Sequence, residues 1–307
     1  MLGPLLLRAS DSDRVRRAVS AAPLSRHIVD RFVSGAALDD VVGATKDLVS
    51  AGLTVTIDHL GEDTLESSQA TATREAYVRL LGRLADLGLA PSAEVSLKLS
   101  AVGQALPDGE AIALDHARAV CEAAAAAGTT VTLDMEDHTT IDSTLGVLRE
   151  LRGDFPWVAA VLQSCLHRTE ADARDLAYAG SRVRLVKGAY AEPASVAYAA
   201  KSDVDLAYVR CLKVLMAGEG RPMVASHDPR MIAIAQDLAA RHDRTPDSYE
   251  FQMLYGIRAS EQRRLAADGA TVRVYVPYGA DWYGYFMRRL AERPANVAFF
   301  LRSLVSR

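Results

Sequence analysis

Short runs of apolar residues alternate along most of the chain with longer stretches in which apolar residues recur every three or four positions. The short runs are rich in Val, Leu and Ile and are bounded by Gly, Pro or Asp, which is typical of buried strands. The longer stretches, such as residues 73–88, 109–128 and 260–269, have the period of amphipathic helices. The pattern therefore predicts alternating strands and helices from about residue 53 onwards.

Eight strands are predicted from these short runs. They are LTVTID (53–58), EVSLKLS (94–100), TTVTLD (129–134), WVAAVLQ (157–163), VRLVKG (183–188), PMVAS (222–226), YEFQML (249–254) and VRVYVP (272–277). Eight strand–helix units in a chain of this length are what a (β/α)8 barrel requires. A doubly wound open sheet is the alternative, but no strand is followed by GxGxxG or a Walker-type loop. The predicted fold is therefore α/β, a (β/α)8 TIM barrel.

The first 50 residues show helical patterns without the alternating short apolar runs. Residues 11–20 and 38–52 both read as helices, and Gly52 stands just past the second periodic run, where a helix commonly ends. We therefore expect extra N-terminal helices in residues 1–50 that pack on a barrel formed by residues 51–307.

Composition narrows the class of protein. The chain has 307 residues, of which 50% are hydrophobic and 24% charged, with a net charge of −4. Phosphate-backbone binding needs a basic surface, so we expect no nucleic-acid partner. The three cysteines are widely spaced and form no CxxC pair, which fits a reducing cytoplasm. The N-terminus lacks the basic region of a signal peptide, and no apolar stretch is long enough to span a bilayer, so we expect a cytoplasmic protein.

Polar side chains occur at the carboxyl ends of nearly all the predicted strands, where barrel chemistry gathers. They are Asp58, Lys98, Asp134, Gln163, Arg184 with Lys187, Ser226 with His227, Gln252, and Tyr275. Any one of them could cap the following helix, and Asp58 and His59 are as readily explained by capping or packing as by ligand contact. All of them together predict a functional site at this end of the barrel.

A second group of candidate functional side chains lies near the end of the chain, in YGYFMRRLAER (283–293). Tyr285, Arg288, Arg289 and Glu292 share one helix face, and Glu292 is placed to orient the arginines. Taken alone this is a solvated face. Lys98, however, alternates with two leucines, so its stem points into the barrel mouth, where an unpaired ammonium would be costly. With no anionic partner evident, Lys98 and the two arginines predict a bound carboxylate or phosphate.

Other chemistries compete for the same residues. DMEDHT (134–139) has the residue types of a metal cluster, but nothing supplies the further histidines such barrels usually need, so we expect no metal. Lysine Schiff-base chemistry at Lys98 or Lys187 is a second option. Gly188, directly after Lys187, would let the backbone approach a flat ring or a phosphate.

Six blocks of sequence, in this order, resemble the proline dehydrogenase family. They are VSLKLS, TLDMEDH, VRLVKGAY, ASHD, FQMLYGIR and VRVYVPYG followed by YGYFMRRLAERPAN. The resemblance covers roughly residues 50–305 and is strongest to the short, monofunctional bacterial form. It includes the family's substrate signature, a tyrosine followed after two residues by two arginines, here Tyr285, Arg288 and Arg289.

The resemblance implies a distorted barrel that binds FAD non-covalently and carries its last helix over the barrel mouth. The substrate-binding residues it implies are Lys98, Arg288 and Arg289 for the proline carboxylate and Tyr285, Leu254 and Tyr190 around the ring. Asp134, Arg184 and Tyr275 match catalytic positions. The residues implied to contact FAD are Met135, Gln163, Arg184, Lys187, Gly188, Ala189, Ser226 and His227.

The activity implied by the resemblance is oxidation of L-proline to pyrroline-5-carboxylate by hydride transfer to FAD, with electrons passed to a quinone. This is the first step of proline catabolism. It leaves room for peripheral contact with the inner face of the membrane and for a homo-oligomer. A lysine- or metal-dependent lyase on the same barrel, and a flavin- or amino-acid-binding protein without turnover, stay open as alternatives.

Overall fold

The computed structural model describes residue 29 and residues 31–292, with side chains up to Met287. The predicted helix at 11–20 lies outside the described residues. The strands β1 to β8 are Thr54–His59, Ala93–Leu97, Val131–Leu133, Ala160–Gln163, Arg182–Val186, Arg221–Ala225, Glu250–Leu254 and Val272–Tyr278. In the same part of the chain, the helices α1 to α9 are Leu38–Ser50, Ser67–Asp86, Gly109–Ala127, Ile141–Asp154, Thr169–Leu176, Lys201–Ala217, Pro229–Arg241, Ala259–Ala267 and Trp282–Glu292.

The eight strands form one parallel sheet in the order β3-β2-β1-β8-β7-β6-β5-β4. A bridge between Thr132 and Ala159 joins its two edges, and the Ala159 amide donates to the Val131 carbonyl at 2.9 Å. The predicted α/β barrel is confirmed. Strand β2 is shorter than predicted, since a 3-10 turn at Ser100–Val102 follows it closely and leaves Lys98 just past its end.

The two faces of the strands differ sharply in polarity. Along β1, Val55 and Ile57 face the helices and belong to the large apolar core between sheet and helices. The intervening side chains face the barrel axis, where Arg184 on β5 donates to Ser96 on β2 across the interior at 3.0 Å. The barrel interior is therefore lined with buried polar and charged groups, a number of which must pair with one another or with a ligand.

Helix α1 explains why the last helix is displaced. It precedes the first strand and packs against both β1 and β8, the place beside the barrel that a helix following β8 would normally take. Helix α9 instead places Phe286 and Met287 against Phe32, Val33 and Leu60, and Leu60 follows directly on the carboxyl end of β1. The expected position over the barrel mouth is confirmed.

No helix within residues 31–292 combines the length and the apolar character needed to cross a membrane.

Candidate active site

A cavity of about 590 Å³ opens at the carboxyl ends of the strands. All the site residues implied by the family resemblance whose side chains the structure describes line this cavity. They are Lys98, Asp134, Met135, Gln163, Arg184, Lys187, Gly188, Ala189, Tyr190, Ser226, His227, Leu254, Tyr275 and Tyr285. The side chains of Arg288, Arg289 and Glu292 lie outside the described residues. The structure thus brings the predicted residues together, while the roles assigned to them stay predictions.

Asp134 is the acceptor at the centre of the site. Its Oδ1 accepts hydrogen bonds from Arg184 Nη1 at 2.6 Å and from the Ser96 hydroxyl at 2.7 Å. Its Oδ2 accepts from the Tyr275 hydroxyl at 2.8 Å. Burial first, and then the charge of Asp134, raise the pKa of the Tyr275 phenol well above its usual value. Tyr275 is therefore held as a protonated donor.

Arg184 is anchored on two of its three nitrogens. Its Nε donates to Gln252 Oε1 at 2.6 Å, and its Nη1 donates to Asp134 and Ser96. Its Cζ lies 5.3 Å from the centre of the Tyr275 ring, at cation–π distance. Nη2 is buried and has no hydrogen-bond partner among the described residues. Arg184 lines the cavity, and an unsatisfied buried donor is costly. An acceptor atom in the cavity would satisfy Nη2.

Lys98 has an anionic partner, which the sequence interpretation did not expect. Its ammonium donates to both carboxylate oxygens of Asp58, at 2.8 and 2.7 Å, and lies 4.0 Å from Asp134 Oδ2. The expectation of an unpaired ammonium was wrong because it took no account of strand register. Asp58 is paired with Ser96 across β1 and β2, which places its carboxylate beside the residue two positions further along.

The charge of Lys98 also bears on Schiff-base chemistry. Burial lowers the pKa of the Lys98 ammonium, but Asp58 and then Asp134 outweigh burial and raise the pKa above its usual value. A Schiff-base lysine must be a neutral amine to attack a carbonyl. The environment therefore disfavours this role for Lys98.

Lys187 is likewise paired, with aspartates that sequence reasoning did not single out. Its ammonium makes ion pairs with Asp205 on α6 and, at 3.2 Å, with Asp228, the residue before α7. Asp228 also caps α7 by accepting from the Arg230 amide at 3.0 Å. No local pattern connects these residues, which are 18 and 41 positions from the lysine.

Gly188 has a structural reason that the sequence interpretation missed. Its φ is +106°, and a Cβ there would lie 2.3 Å from Cys165 Sγ. The amide of Cys165 also donates to the Lys187 carbonyl at 2.8 Å. The glycine is therefore required by the packing of Cys165 beneath the strand end, whether or not a ligand approaches the backbone.

His227 and Leu254 are linked directly. The Leu254 amide donates to His227 Nε2 at 2.9 Å, and Arg258 donates to the His227 carbonyl at 2.7 Å. A ring nitrogen that accepts a backbone N–H carries no proton, so the neutral tautomer has its proton on Nδ1. This hydrogen bond connects His227, which follows β6, with Leu254 at the end of β7, two neighbouring parts of the cavity wall.

Three residues of DMEDHT each contact a different partner. Asp134 binds Arg184, Glu136 accepts from the Ser100 amide and hydroxyl at 3.1 and 2.6 Å, and His138 pairs with Glu192. In the described part of the chain, no group of three or more His, Cys, Asp or Glu side chains is arranged to hold a metal ion.

Comparison with known proteins gives consistent matches. A family model described as proline dehydrogenase matches residues 41–302. Proline dehydrogenase 1 of Bacillus subtilis is 39% identical over 277 residues, covering 90% of each chain. The proline dehydrogenase of Deinococcus radiodurans is 40% identical over 282 residues, covering 91% of this chain and 90% of the relative.

Solved structures of a larger protein share the fold. Proline utilization A from Bdellovibrio bacteriovorus, inactivated by N-propargylglycine, has a TM-score of 0.79 at 26% identity and matches 87% of this chain. Its counterpart from Corynebacterium freiburgense has a TM-score of 0.74 at 22% identity, a likeness of fold alone. This chain spans about a third of those longer chains, 32% and 34%.

Proposed function

This chain belongs to the proline dehydrogenase family, and from that premise we propose that it oxidises L-proline to pyrroline-5-carboxylate in the cavity at the barrel mouth. The reaction is the first step of proline catabolism. The observation that carries the proposal is the buried Arg184 guanidinium, whose Nη2 lacks an acceptor among the described residues and which lines the cavity with Lys98.

The cofactor we propose is FAD, bound without a covalent link. The orphaned Nη2 of Arg184 fits an electron-rich ring atom in the cavity, and a guanidinium there favours negative charge on a reduced ring. When bound, the flavin supplies a hydride acceptor. The residues proposed to hold it are Met135, Gln163, Arg184, Lys187, Gly188, Ala189, Ser226 and His227.

The carboxylate of proline is proposed to bind Lys98, Arg288 and Arg289. Lys98 already shares its charge with Asp58, so the two arginines of the last helix would supply most of the net positive charge. The proposal for the two arginines is supported by Tyr285, which lines the cavity and stands three and four positions before them on the same helix. A planar guanidinium suits bidentate contact with a carboxylate.

The ring of proline is proposed to pack among Tyr190, Leu254, Tyr275 and Tyr285. Tyr275 is held by its hydrogen bond to Asp134, and Leu254 by the hydrogen bond from its backbone amide to His227. Their part in the reaction is to hold the substrate in a reactive orientation, which is a large source of rate acceleration. We assign no general base, and the neutral amine of proline is taken from solution.

The remaining parts of the proposal concern partners and location. We propose a quinone as the electron acceptor and a cytoplasmic location, which leaves room for peripheral contact with the inner face of the membrane. The proposed division of the chain is into N-terminal helices within residues 1–50 and a cofactor-binding barrel of residues 51–307. Assembly into a homo-oligomer is compatible with this arrangement.

The test is a visible spectrum of the purified protein before and after L-proline is added without an electron acceptor. Flavin absorption bands that bleach on addition of proline are the expected result. A protein that stays colourless after supplementation with FAD, or that traps a carbonyl substrate on Lys98 with borohydride, would favour a lyase. Flavin bands that proline leaves unchanged would favour a binding protein without turnover.

A further inference from the structure

The interior of the barrel contains a second set of charges, on the side away from the cavity. Glu94 and Glu250 are almost completely buried there. Arg182 donates to Glu94 at 2.6 Å, and Arg273 and Arg221 donate to Glu250 at 2.7 and 3.1 Å. We call these five residues the floor network. Nothing in the proposed reaction uses it.

Glu250 is held ionised in this network. Burial raises the pKa of the Glu250 carboxyl, but the charge and hydrogen bond of Arg273 outweigh burial, so the pKa lies below its usual value. An ionised carboxylate carries only acceptor atoms, so Glu250 can accept a hydrogen bond from a further donor but cannot donate one.

Gln252 connects the floor network to the cavity. It lies two residues further along β7, on the same inward face as Glu250, and is 3% exposed. Its Nε2 donates to Glu250 Oε1 at 2.7 Å and lies 3.3 Å from Met223 Sδ. Its Oε1 accepts from Arg184 Nε at 2.6 Å. One amide thus joins a buried anion to a buried cation.

The orientation of this amide is determined by the charges on its two sides. An amide has donors at one end and an acceptor at the other, so it fits between a carboxylate and a guanidinium in only one sense. The reversed amide would place oxygen against Glu250 and N–H groups against Arg184. Glu250 therefore fixes the direction in which Gln252 presents its oxygen.

Arg184 is consequently held from two sides. Gln252 holds the Nε edge, and Asp134 holds Nη1 at 2.6 Å. Without the amide, Nε would be a buried donor with no acceptor, and Glu250 Oε1 would lose the donor that Gln252 now provides. Both effects would draw Arg184 away from Asp134 and toward the floor network.

We propose that Gln252 is a positioning residue for Arg184, its amide being oriented by Glu250 so that the guanidinium is kept against Asp134 at the cavity. Only the kinetic part of the test rests on the proposed oxidation of proline. The contacts between Gln252 and its two partners do not depend on it.

The first variant is Gln252→Met, which keeps the length of the side chain and removes the amide. A crystal structure should show the Arg184 Nη1–Asp134 distance lengthened beyond hydrogen-bonding range, roughly 3.5 Å. With proline, kcat should fall at least about tenfold, the scale of one hydrogen bond to a charged group, while KM changes much less. The reason is that Gln252 hydrogen-bonds Glu250 and Arg184, and neither of these is proposed to bind the carboxylate.

The second variant, Gln252→Glu, tests whether the group at position 252 must donate to Glu250 and also accept from Arg184. A protonated carboxyl can replace the amide, since its O–H donates to Glu250 and its carbonyl accepts from Arg184. The charged groups around it are Glu250 on its own strand, Arg184 on β5 and, in register on β8, Arg273. Activity near that of the unmodified enzyme is expected at acidic pH, with a loss as pH rises that neither the unmodified enzyme nor Gln252→Met shows.

The matched control is Gln104→Met, which removes the same amide from a half-buried site where it donates to Ser143 and Thr144. Its kcat and KM should stay close to those of the unmodified enzyme. The proposal is overturned if Gln252→Met leaves Arg184 in place with unchanged kcat, or if the Gln252→Glu pH profile parallels that of the unmodified enzyme. If Gln252→Met does not fold, the pH profile decides. If proline is not a substrate at all, the Arg184–Asp134 distance still decides.

Discussion

Both carboxylate oxygens of Asp58 accept hydrogen bonds from the Lys98 ammonium, at 2.8 and 2.7 Å. Asp58 is completely buried, and the side chain of Lys98 is 9% exposed. The pair places a compensated charge, not a free one, at the edge of the cavity. Lys98 can therefore contribute to anion binding only while Asp58 keeps it protonated, and this has a consequence for the pH dependence of the enzyme.

Replacement of Asp58 by Asn should make activity fail at alkaline pH. Without Asp58, burial is the dominant influence and lowers the pKa of Lys98, so the ammonium is lost as pH rises through a lower value than before. We expect kcat/KM for proline to decline earlier on the alkaline side than in the unmodified enzyme, mostly through KM. The measurement is a pair of pH profiles, with Asp237→Asn on the surface as control. Profiles that coincide would show that Asp58 does not hold the proton on Lys98.

Loss of the Asp58–Lys98 ion pair should account for most of the decrease in the free energy of unfolding that Lys98→Met causes. The single change leaves Asp58 buried without its cation, which typically costs about 3–5 kcal/mol. The double variant Asp58→Asn with Lys98→Met removes both charges and should recover most of that loss. Urea unfolding of the four proteins gives the coupling free energy directly. A double variant no more stable than Lys98→Met would contradict the assigned pairing.

Tyr275→Phe isolates one hydrogen bond in the site. The change removes the hydroxyl that donates to Asp134 Oδ2 at 2.8 Å and keeps the ring that lies beneath Arg184. A hydrogen bond to a charged acceptor is worth about 1.5–3 kcal/mol, so kcat/KM should fall by about 10- to 100-fold with little change in flavin content. Steady-state kinetics and the visible spectrum check this. An unchanged kcat/KM would remove Tyr275 from the catalytic set.

The sequence predicted the strands and the cavity residues because both depend on local signals. Alternation along VRLVKG and TTVTLD, with Gly, Pro and Asp at the boundaries, determines which residues end a strand. A barrel then gathers those ends on one side, which is how Lys98, Asp134 and Arg184 could be grouped before any contact was known.

The pairings inside the site could not be predicted in the same way. The contact of Asp58 with Lys98 depends on the register of β1 against β2, and that of Gln252 with Arg184 crosses from β7 to β5. Such contacts are set by barrel geometry over separations of 40 and 68 residues, for which a single sequence gives no periodic signal. The sequence predicts Asp58 and Gln252 as polar strand ends, but it does not predict their pairing with Lys98 and Arg184.

Arg244 should matter to stability far more than its neighbour Arg241. Its guanidinium donates to the carbonyls of Leu215, Met216 and Gly220, at 3.1, 3.0 and 2.7 Å, around the end of α6. Arg244→Ala leaves these carbonyls without their donor, and we expect a loss of about 2–4 kcal/mol. Arg241→Ala breaks one exposed pair with Asp237 and should cost at most about 0.5 kcal/mol. Thermal unfolding of both variants makes the comparison, and equal melting temperatures would contradict it.

Ionisation of Glu136 should lower the free energy of unfolding as pH rises. Most carboxylates have the opposite effect, because ionisation stabilises the folded protein. Burial raises the pKa of its carboxyl from 4.5 to about 7, against the hydrogen bonds from Ser100. Between these two values the folded protein keeps a proton that the unfolded chain has lost. The stabilisation is therefore complete below the unfolded pKa and disappears as pH rises through the folded one.

Glu136→Gln should abolish this dependence, because an amide stays neutral and can still accept from the Ser100 amide while donating to its hydroxyl. The unmodified protein should lose up to about 3 kcal/mol relative to the variant between about pH 5 and pH 8, the free-energy equivalent of the raised pKa. Urea unfolding at both pH values measures the difference. Glu150→Gln, on the exposed face of α4, is the control and should leave the pH dependence unchanged. If Glu136→Gln and the unmodified protein lose stability in parallel, the carboxyl of Glu136 is ionised throughout this range, and another group carries the pH dependence.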